Sequence, residues 1–122
     1  MSSILKLKGK GLTKIIKSKV ILSPLAGVTD KIFRKLVRKW APDSLLFTEM
    51  INATSLKKGY GSRKIKQLEL EEGPVGVQIF DNRPYAVSEA AKLAEDSGAF
   101  LIDINMGCPV KKISKKGGGC VN

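Results

Sequence analysis

The 122-residue sequence contains no histidine and only two cysteines. Without histidine, Ser-His and Cys-His nucleophile pairs and most zinc sites are excluded, so acid–base chemistry must fall to Cys, Lys, Asp, Glu or Tyr. Two cysteines without a secretory signal pattern argue against a disulfide scaffold and for a reducing compartment, by default the cytoplasm. No apolar run approaches the roughly 18 residues that a membrane span needs. We therefore expect neither a membrane association nor a metal site.

Acidic residues are scarce beside basic ones. The chain has 22 Lys and Arg against 11 Asp and Glu, which gives a formal charge of +11. Such an excess favours a polyanionic partner such as RNA, although a merely solvated surface gives the same count. Residues 1–19 carry six lysines and no acid. We interpret them as a mobile basic leader, with a basic arm or a transit segment as alternatives.

Short apolar runs alternate with helical patterns from Val20 onward. Strands are predicted to begin near residues 20, 45, 75 and 100. The helix after the first strand can be capped by Thr29 and must end before Pro42. The pattern predicts a core-facing side with Ile32, Phe33, Leu36, Val37 and Trp40, and a solvent-facing side with Lys31, Arg34, Lys35, Arg38 and Lys39.

The later helical segments are of two kinds. Residues 52–72 are polar and are predicted to be helical in pieces around Gly59 and Gly61. Pro84 is predicted to occupy the first position of a longer helix that stops at Gly98. The predicted buried side of this helix consists of Val87, Ala90, Ala91 and Ala94.

This alternation indicates parallel βαβ units and an α/β fold. The spacing is that of a (β/α)8 TIM barrel, whose eight units need roughly 250 residues. Residues 20–122 hold about four such units, so we expect one half of a barrel. An open doubly wound sheet is the alternative. Its G-x-G-x-x-G phosphate fingerprint is missing, because the first strand ends in Pro24-Leu-Ala-Gly27.

In either parallel fold the ligand site lies at the carboxyl ends of the strands. Pro and Gly around Ala26 let a backbone approach a flat ligand, but they also suit a plain turn. The amide of Gln78 suits the edge of a heterocycle, or it is satisfied by neighbouring backbone. The other polar residues at or just beyond strand ends are Ser23, Thr48, Glu49, Asp103, Asn105 and Cys108.

A basic segment follows the last predicted strand. Gly117-Gly-Gly119 ends it, and its cations are Lys111, Lys112, Lys115 and Lys116. Ammonium groups and exposed backbone N–H groups bind phosphates, although a charge run is more often a solvated loop.

Together these segments resemble the tRNA-dihydrouridine synthase family from Val20 to Gly119. The resemblance is carried by Ser-Pro-Leu-Ala-Gly-Val-Thr-Asp, Thr-Glu-Met, Val-Gln-Ile-Phe and the highly specific Asp103-Ile-Asn-Met-Gly-Cys-Pro109. It implies reduction of the 5,6 double bond of particular uridines in tRNA, with FMN that is reduced by NADPH or NADH.

The resemblance also implies roles for single residues. Pro24, Leu25 and Ala26 would line the flavin, Gln78 would hydrogen-bond its ring system, and Asn105 would lie near the target uracil. Cys108 would donate the proton for C5 after hydride reaches C6. A thiol with a pKa near 8.5 is largely protonated at neutral pH and suits that role. The base must leave its stack, and the lysine-rich segment would help by binding the tRNA backbone.

The family takes its FMN phosphate site, a flavin-contacting lysine and a histidine from the second half of the barrel, followed by a helical tRNA-binding domain. None of these is in the sequence, so we expect residues 1–122 to be a fragment that is not active alone. Two other functions stay open: a flavin barrel that acts on free pyrimidines, and a non-catalytic RNA-binding remnant.

Overall fold

The computed structural model describes residues 5–9, 12–59 and 61–107. The strands are β1 Leu5–Gly9, β2 Leu12–Ile16, β3 Ile21–Leu22, β4 Leu45–Phe47, β5 Ile51–Asn52, β6 Val75–Phe80 and β7 Leu101–Ile104. The helices are α1 Lys31–Trp40, α2 Ala53–Lys57, α3 Ser62–Lys66 and α4 Pro84–Asp96, and a 3-10 helix covers Gln67–Leu70. No helix among the described residues is both long and apolar enough to span a bilayer.

The main sheet is parallel, and its strands lie side by side in chain order. β3 pairs with β4, β4 pairs with β6, and β6 pairs with β7. The short strand β5 also pairs in parallel with β6, beyond β4 on the same side, so β4 and β5 share one position in the sheet. A doubly wound sheet would reverse its strand order at a switch point. The observed order has no reversal and is that of the first four units of a (β/α)8 barrel.

The predicted α/β fold is therefore confirmed, and so is the helix at Pro84. Pro84 is the first residue of α4, where its missing N–H costs nothing. Ala90 and Ala94 of α4 are buried, as are Val77 and Ile79 of β6, and all four belong to the largest apolar cluster. Small alanines allow the helix to lie close against this face of the strand.

The opposite face of the sheet points toward what would be the barrel interior. Because side chains alternate along a strand, Gly76 and Gln78 of β6 point away from the α4 side. A second apolar cluster contains Leu45 and Phe47 of β4, with Leu101 of β7 packed against it.

Residues of the basic leader form regular structure that the sequence did not predict. β1 and β2 form an antiparallel pair, with Leu5 opposite Ile16. Ile16 is 2% exposed and packs in the cluster of Leu45 and Phe47. The β1–β2 pair therefore contributes Ile16 to the apolar cluster on the inner face of the main sheet.

The predicted orientation of α1 was wrong. Arg34 and Arg38 are buried, whereas Ile32, Leu36 and Trp40 are 80%, 56% and 78% exposed. Hydrogen bonds donated by the two guanidinium groups explain the reversal, since a buried cation that has hydrogen-bond partners is tolerated. Arg34 bonds to Glu71 and to the backbone oxygen of Thr29. Arg38 bonds to backbone oxygens of Pro42, Ser44 and Pro74.

The cap of α1 also differs from the prediction. Asp30 caps the helix, because its Oδ1 accepts a hydrogen bond from the backbone N–H of Phe33 at 2.8 Å. Thr29 is fully buried instead, and its hydroxyl bonds to both the backbone N–H and the backbone oxygen of Leu25. Thr29 thereby shapes the turn before the helix.

Candidate active site

The turn after β3 holds Pro24, Leu25 and Ala26, the three residues predicted to contact a flat ligand. Thr29 Oγ1 accepts from the Leu25 N–H at 3.0 Å and donates to the Leu25 oxygen at 3.1 Å. The same oxygen accepts the N–H groups of Val28 and Thr29. Leu25 is 49% exposed and Ala26 is exposed. The buried hydroxyl of Thr29 thus holds the backbone of the turn, and the turn exposes the apolar side chains of Leu25 and Ala26.

Glu49, just after β4, ties this turn to the next strand. Its Oε1 accepts the backbone N–H of Gly27 at 2.6 Å, and its Oε2 accepts from Lys64 Nζ at 2.8 Å. The hydrogen bond from Lys64 lowers the pKa of the Glu49 carboxyl, and the Gly27 N–H adds to this against an opposing effect of burial. Glu49 is therefore a carboxylate that bridges the turn to α3.

Gln78 and Asn105, which were predicted as ligand-binding residues, are brought together by the pairing of β6 with β7. Gln78 lies opposite Asp103 in the register. Gln78 Nε2 donates to Asp103 Oδ2 at 2.5 Å, and Gln78 Oε1 accepts from Asn105 Nδ2 at 3.2 Å. Asn105 Oδ1 in turn accepts the N–H of Gly107 at 3.0 Å. Gln78 is thus held by side chains, and Asp103 fixes which end of its amide faces which neighbour.

Thr48 connects Glu49 at the end of one strand with Gln78 on the next. Its side chain is buried, accepts the N–H of Gln78 at 3.4 Å and donates to the Glu49 backbone oxygen at 2.9 Å. A continuous row of hydrogen bonds therefore crosses all four strand exits. We call this set the exit row; its members are Leu25, Gly27, Thr48, Glu49, Gln78, Asp103 and Asn105.

The exit row suits a flat heterocycle with a polar edge. Exposed Leu25 and Ala26 offer an apolar surface. Beyond its bonds to Asp103 and Asn105, the amide of Gln78 retains a second N–H and a second oxygen lone pair, so it can still offer a donor and an acceptor. These residues fit the ring system of a flavin. Among the described residues, no group of three or more metal-binding side chains occurs.

A groove of about 780 Å³ lies elsewhere, along α1. It is bounded by Leu36, Leu46 and Leu70 and by charged residues such as Lys35 and Glu71. None of the predicted site residues that the structure describes lines it. Leu46 alternates with Leu45 and Phe47 along β4, which places the groove on the outer face of the sheet. The groove is therefore separate from the exit row.

Asp81 organises the exit of β6 beside this row. Its inaccessible side chain accepts hydrogen bonds from Thr54 of α2 and from Arg83. Burial alone would raise the pKa of the carboxyl, but the hydrogen bonds from Arg83 and Thr54 outweigh it and lower the pKa from 3.8 to about 2. The carboxylate thus fastens α2 to the end of β6.

This shift predicts an acid-sensitive part of the folding free energy. Because the folded-state pKa lies below the ordinary value, the stabilisation by Asp81 is complete above about pH 4 and is lost as the pH falls toward 2. We expect about 2 kcal/mol of unfolding free energy to be lost over that range. Urea unfolding of the chain and of Asp81→Asn at several pH values would measure it. Their stabilities should converge toward pH 2; a constant gap would contradict the assignment.

Cys108, the predicted proton donor, and the lysines at 111, 112, 115 and 116 lie outside the described residues. Glu49 and Asp103 were recognised in the sequence as polar strand-end residues but were given no role. Asp81 was missed entirely. A signal for it was present, because an acid directly after a buried strand and before Arg83 needs nearby partners.

Comparisons with known proteins identify similar sequences. The family model described as Dihydrouridine synthase (Dus) matches residues 21–121. A probable tRNA-dihydrouridine synthase 1 from Synechocystis sp. is 48% identical over 104 residues, which cover 85% of this chain and 29% of the relative. A tRNA-dihydrouridine synthase B from Vibrio vulnificus is 39% identical over 101 residues, 83% of this chain and 31% of the relative. The corresponding protein from Xanthomonas campestris is 45% identical over 101 residues, 80% and 30%. The chain thus spans about three tenths of the length of these relatives.

Proposed function

The chain belongs to the dihydrouridine synthase family, and from this premise we propose that it supplies the first four βα units of a flavin-dependent tRNA-dihydrouridine synthase. Residues 20–122 form this part of the FMN-binding barrel, and residues 1–19 are a basic leader to it. The enzyme acts in the cytoplasm, where thiols stay reduced. The proposal rests on the similarity of residues 21–121 to the family and on the relatives' names.

Within the structure, the observation that carries the proposal is the pairing of Gln78 with Asn105 at the strand exits. Pro24, Leu25 and Ala26 would line the ring system of FMN, and Gln78 would hydrogen-bond its polar edge. Asn105 lies beside the uracil, held in place by its bond to Gln78. Because these side chains are fixed before any ligand arrives, little of the binding energy is spent on ordering them.

The proposed reaction adds two hydrogens across the 5,6 double bond of uridine. FMN, once bound and reduced by NADPH or NADH, would supply the hydride for C6. Cys108 donates its thiol proton to C5. The resulting thiolate is then reprotonated from solvent. The amide of Asn105 orients the uracil so that C5 faces this thiol. Cys108 lies four positions after the end of β7 and two after Met106 in the sequence.

Deleting the gene in its source organism tests the function. We expect dihydrouridine to be lost from at least one tRNA position, with plain uridine in its place, because no hydrogens are then added at C5 and C6. Mass spectrometry of tRNA fragments measures the mass of the two hydrogens at each position. Returning the intact gene should restore them.

An unchanged dihydrouridine content at every position would contradict the proposal. Accumulation of uracil in the deletion strain together with intact tRNA dihydrouridine would instead favour reduction of free pyrimidines.

A further inference from the structure

The helix α3 carries a basic surface that the proposed mechanism does not use. Arg63, Lys64 and Lys66 are all exposed, and we call them the basic rim. Residues 50–68 contain five cations and no acid. With Ile65 buried at 1% exposure, the helical spacing turns the three cations away from the core. This surface therefore has a strong positive charge that no acid of its own segment offsets.

The basic rim is firmly attached to the rest of the fold. Ile65 belongs to the main apolar cluster. Before it, Gly61 adopts φ 87°, a left-handed conformation that suits glycine, and its oxygen accepts the N–H of Lys64 at 2.9 Å. Ser62 Oγ also donates to the oxygen of Gly59 at 2.8 Å. The cations thus project from a fixed backbone, which reduces the entropy lost when a ligand binds.

The basic rim lies beside the strand exits. Lys64 Nζ is 2.8 Å from Glu49 Oε2, and Glu49 Oε1 is 2.6 Å from the N–H of Gly27 in the turn after β3. One carboxylate therefore joins α3 to the turn that is proposed to line the flavin. Lys64 forms an ion pair with Glu49. Arg63 and Lys66 have no acid within residues 50–68 with which to pair.

A second basic surface lies away from the exit row. Lys31, Lys35 and Lys39 of α1 line the outer groove, where Glu71 and Glu72 also lie. Its charge is similar, but acids and exposed leucines accompany it. It therefore provides a comparison for the effect of charge without proximity to the strand exits.

We propose that the basic rim binds the ribose-phosphate backbone of tRNA next to the target uridine. The partner's identity rests on the proposed function, whereas the binding site rests on the geometry of α3. Arg63 binds a phosphate in a bidentate manner and Lys66 contacts a neighbouring one. The uridine must leave its stack to reach the exit row, at a cost of a few kcal/mol. Phosphate contacts beside the opening offset this cost without reading the base.

The test compares two doubly substituted proteins that lose the same charge. Arg63→Ala with Lys66→Ala removes two cations of the basic rim, while Lys35→Ala with Lys39→Ala removes two from α1. Lys64 is kept because it pairs with Glu49. All four positions are exposed, so both proteins should fold, which circular dichroism and thermal unfolding verify.

Binding of an unmodified tRNA transcript is measured by fluorescence anisotropy at several salt concentrations. For the rim substitutions we expect the Kd to rise about 10-fold or more and the salt slope to fall by about two, roughly one for each lost phosphate contact. The α1 substitutions should leave the slope unchanged. Equal effects of both pairs, or no tRNA binding by the unaltered chain at low salt, would overturn the proposal.

The outcome is separable from that of the gene deletion. If only the rim substitutions lower the salt slope while the deletion strain keeps its dihydrouridine, the basic rim binds RNA and the synthase function is refuted. If the deletion strain loses dihydrouridine while both substituted pairs have equal effects, the synthase function stands and the basic rim is refuted as the RNA-binding surface.

Discussion

Replacing Cys108 by alanine in the chromosomal gene is expected to lower uridine reduction about 100- to 10,000-fold, the usual contribution of a positioned general acid. The methyl group of alanine has no proton to donate to C5. FMN binding should persist, because in the proposed function the flavin is held by Gln78 and by the turn at Pro24. Dihydrouridine content is measured by mass spectrometry of tRNA, and bound FMN by its visible absorbance in the purified protein.

Cys120 provides the matched control, since it is the second of the two cysteines and has no proposed role. Cys120→Ala should retain normal dihydrouridine. Full reduction by Cys108→Ala would contradict the role of the thiol. Loss of FMN from Cys108→Ala would also contradict it, because the residue would then act in cofactor binding.

The largest loss of stability is expected from Arg38→Met. The guanidinium of Arg38 donates to backbone oxygens of Pro42, Ser44 and Pro74, the last two directly before β4 and β6. Methionine preserves much of the aliphatic stem but leaves these oxygens without their donor. Each hydrogen bond to a charged group contributes roughly 1.5–3 kcal/mol. Because contributions within one network are not additive, we expect the unfolding free energy to fall by about 3–5 kcal/mol, measured by urea denaturation.

The neighbouring residue supplies the control for this substitution. Lys39 is exposed and lies on the same helix, so Lys39→Met should change the unfolding free energy by less than about 0.5 kcal/mol. Similar effects of the two substitutions would show that the positive charge on α1 stabilises the fold and that the hydrogen bonds of Arg38 to the residues before β4 and β6 do not.

Burial lowers the pKa of Arg38, and the carboxylate of Glu71 acts against this. Gly73 makes the burial possible, because a Cβ there would lie 2.7 Å from Arg38 Cζ. Its φ of 72° also suits glycine. The burial of Arg38 thus depends on Gly73 and on the residues before β4 and β6, which come from separate parts of the sequence.

This dependence explains what the sequence could predict of the fold. β6 and α4 have strong local signals: a continuous apolar run, Pro84 at a helix start and alanines at helical spacing. The order of the strands follows from these units. The orientation of α1 does not, because Arg38 is buried by partners such as Pro74, which lies 36 positions away. Counting apolar residues on one helix cannot reveal such partners.

The candidate site shows the same division. Gln78 and Asn105 were predictable because parallel strands end at one edge, so polar residues at their ends must be close. The bridging role of Glu49 was not, since it requires the N–H of Gly27, 22 positions earlier. Asp81 likewise depends on Thr54, 27 positions away. Residue type and strand position identify the members of a site, and long-range contacts determine their roles.

The exit row has a consequence for how specificity arises. Each strand exit is hydrogen-bonded to the next, from Gly27 through Glu49 and Thr48 to Gln78 and Asn105. A shift of one exit would break bonds at its neighbours, so we expect the four exits to behave as a single stiff plate. Such a plate cannot reshape itself around different bases. In the proposed synthase, discrimination between uridines then falls to the surfaces that deliver RNA to the plate.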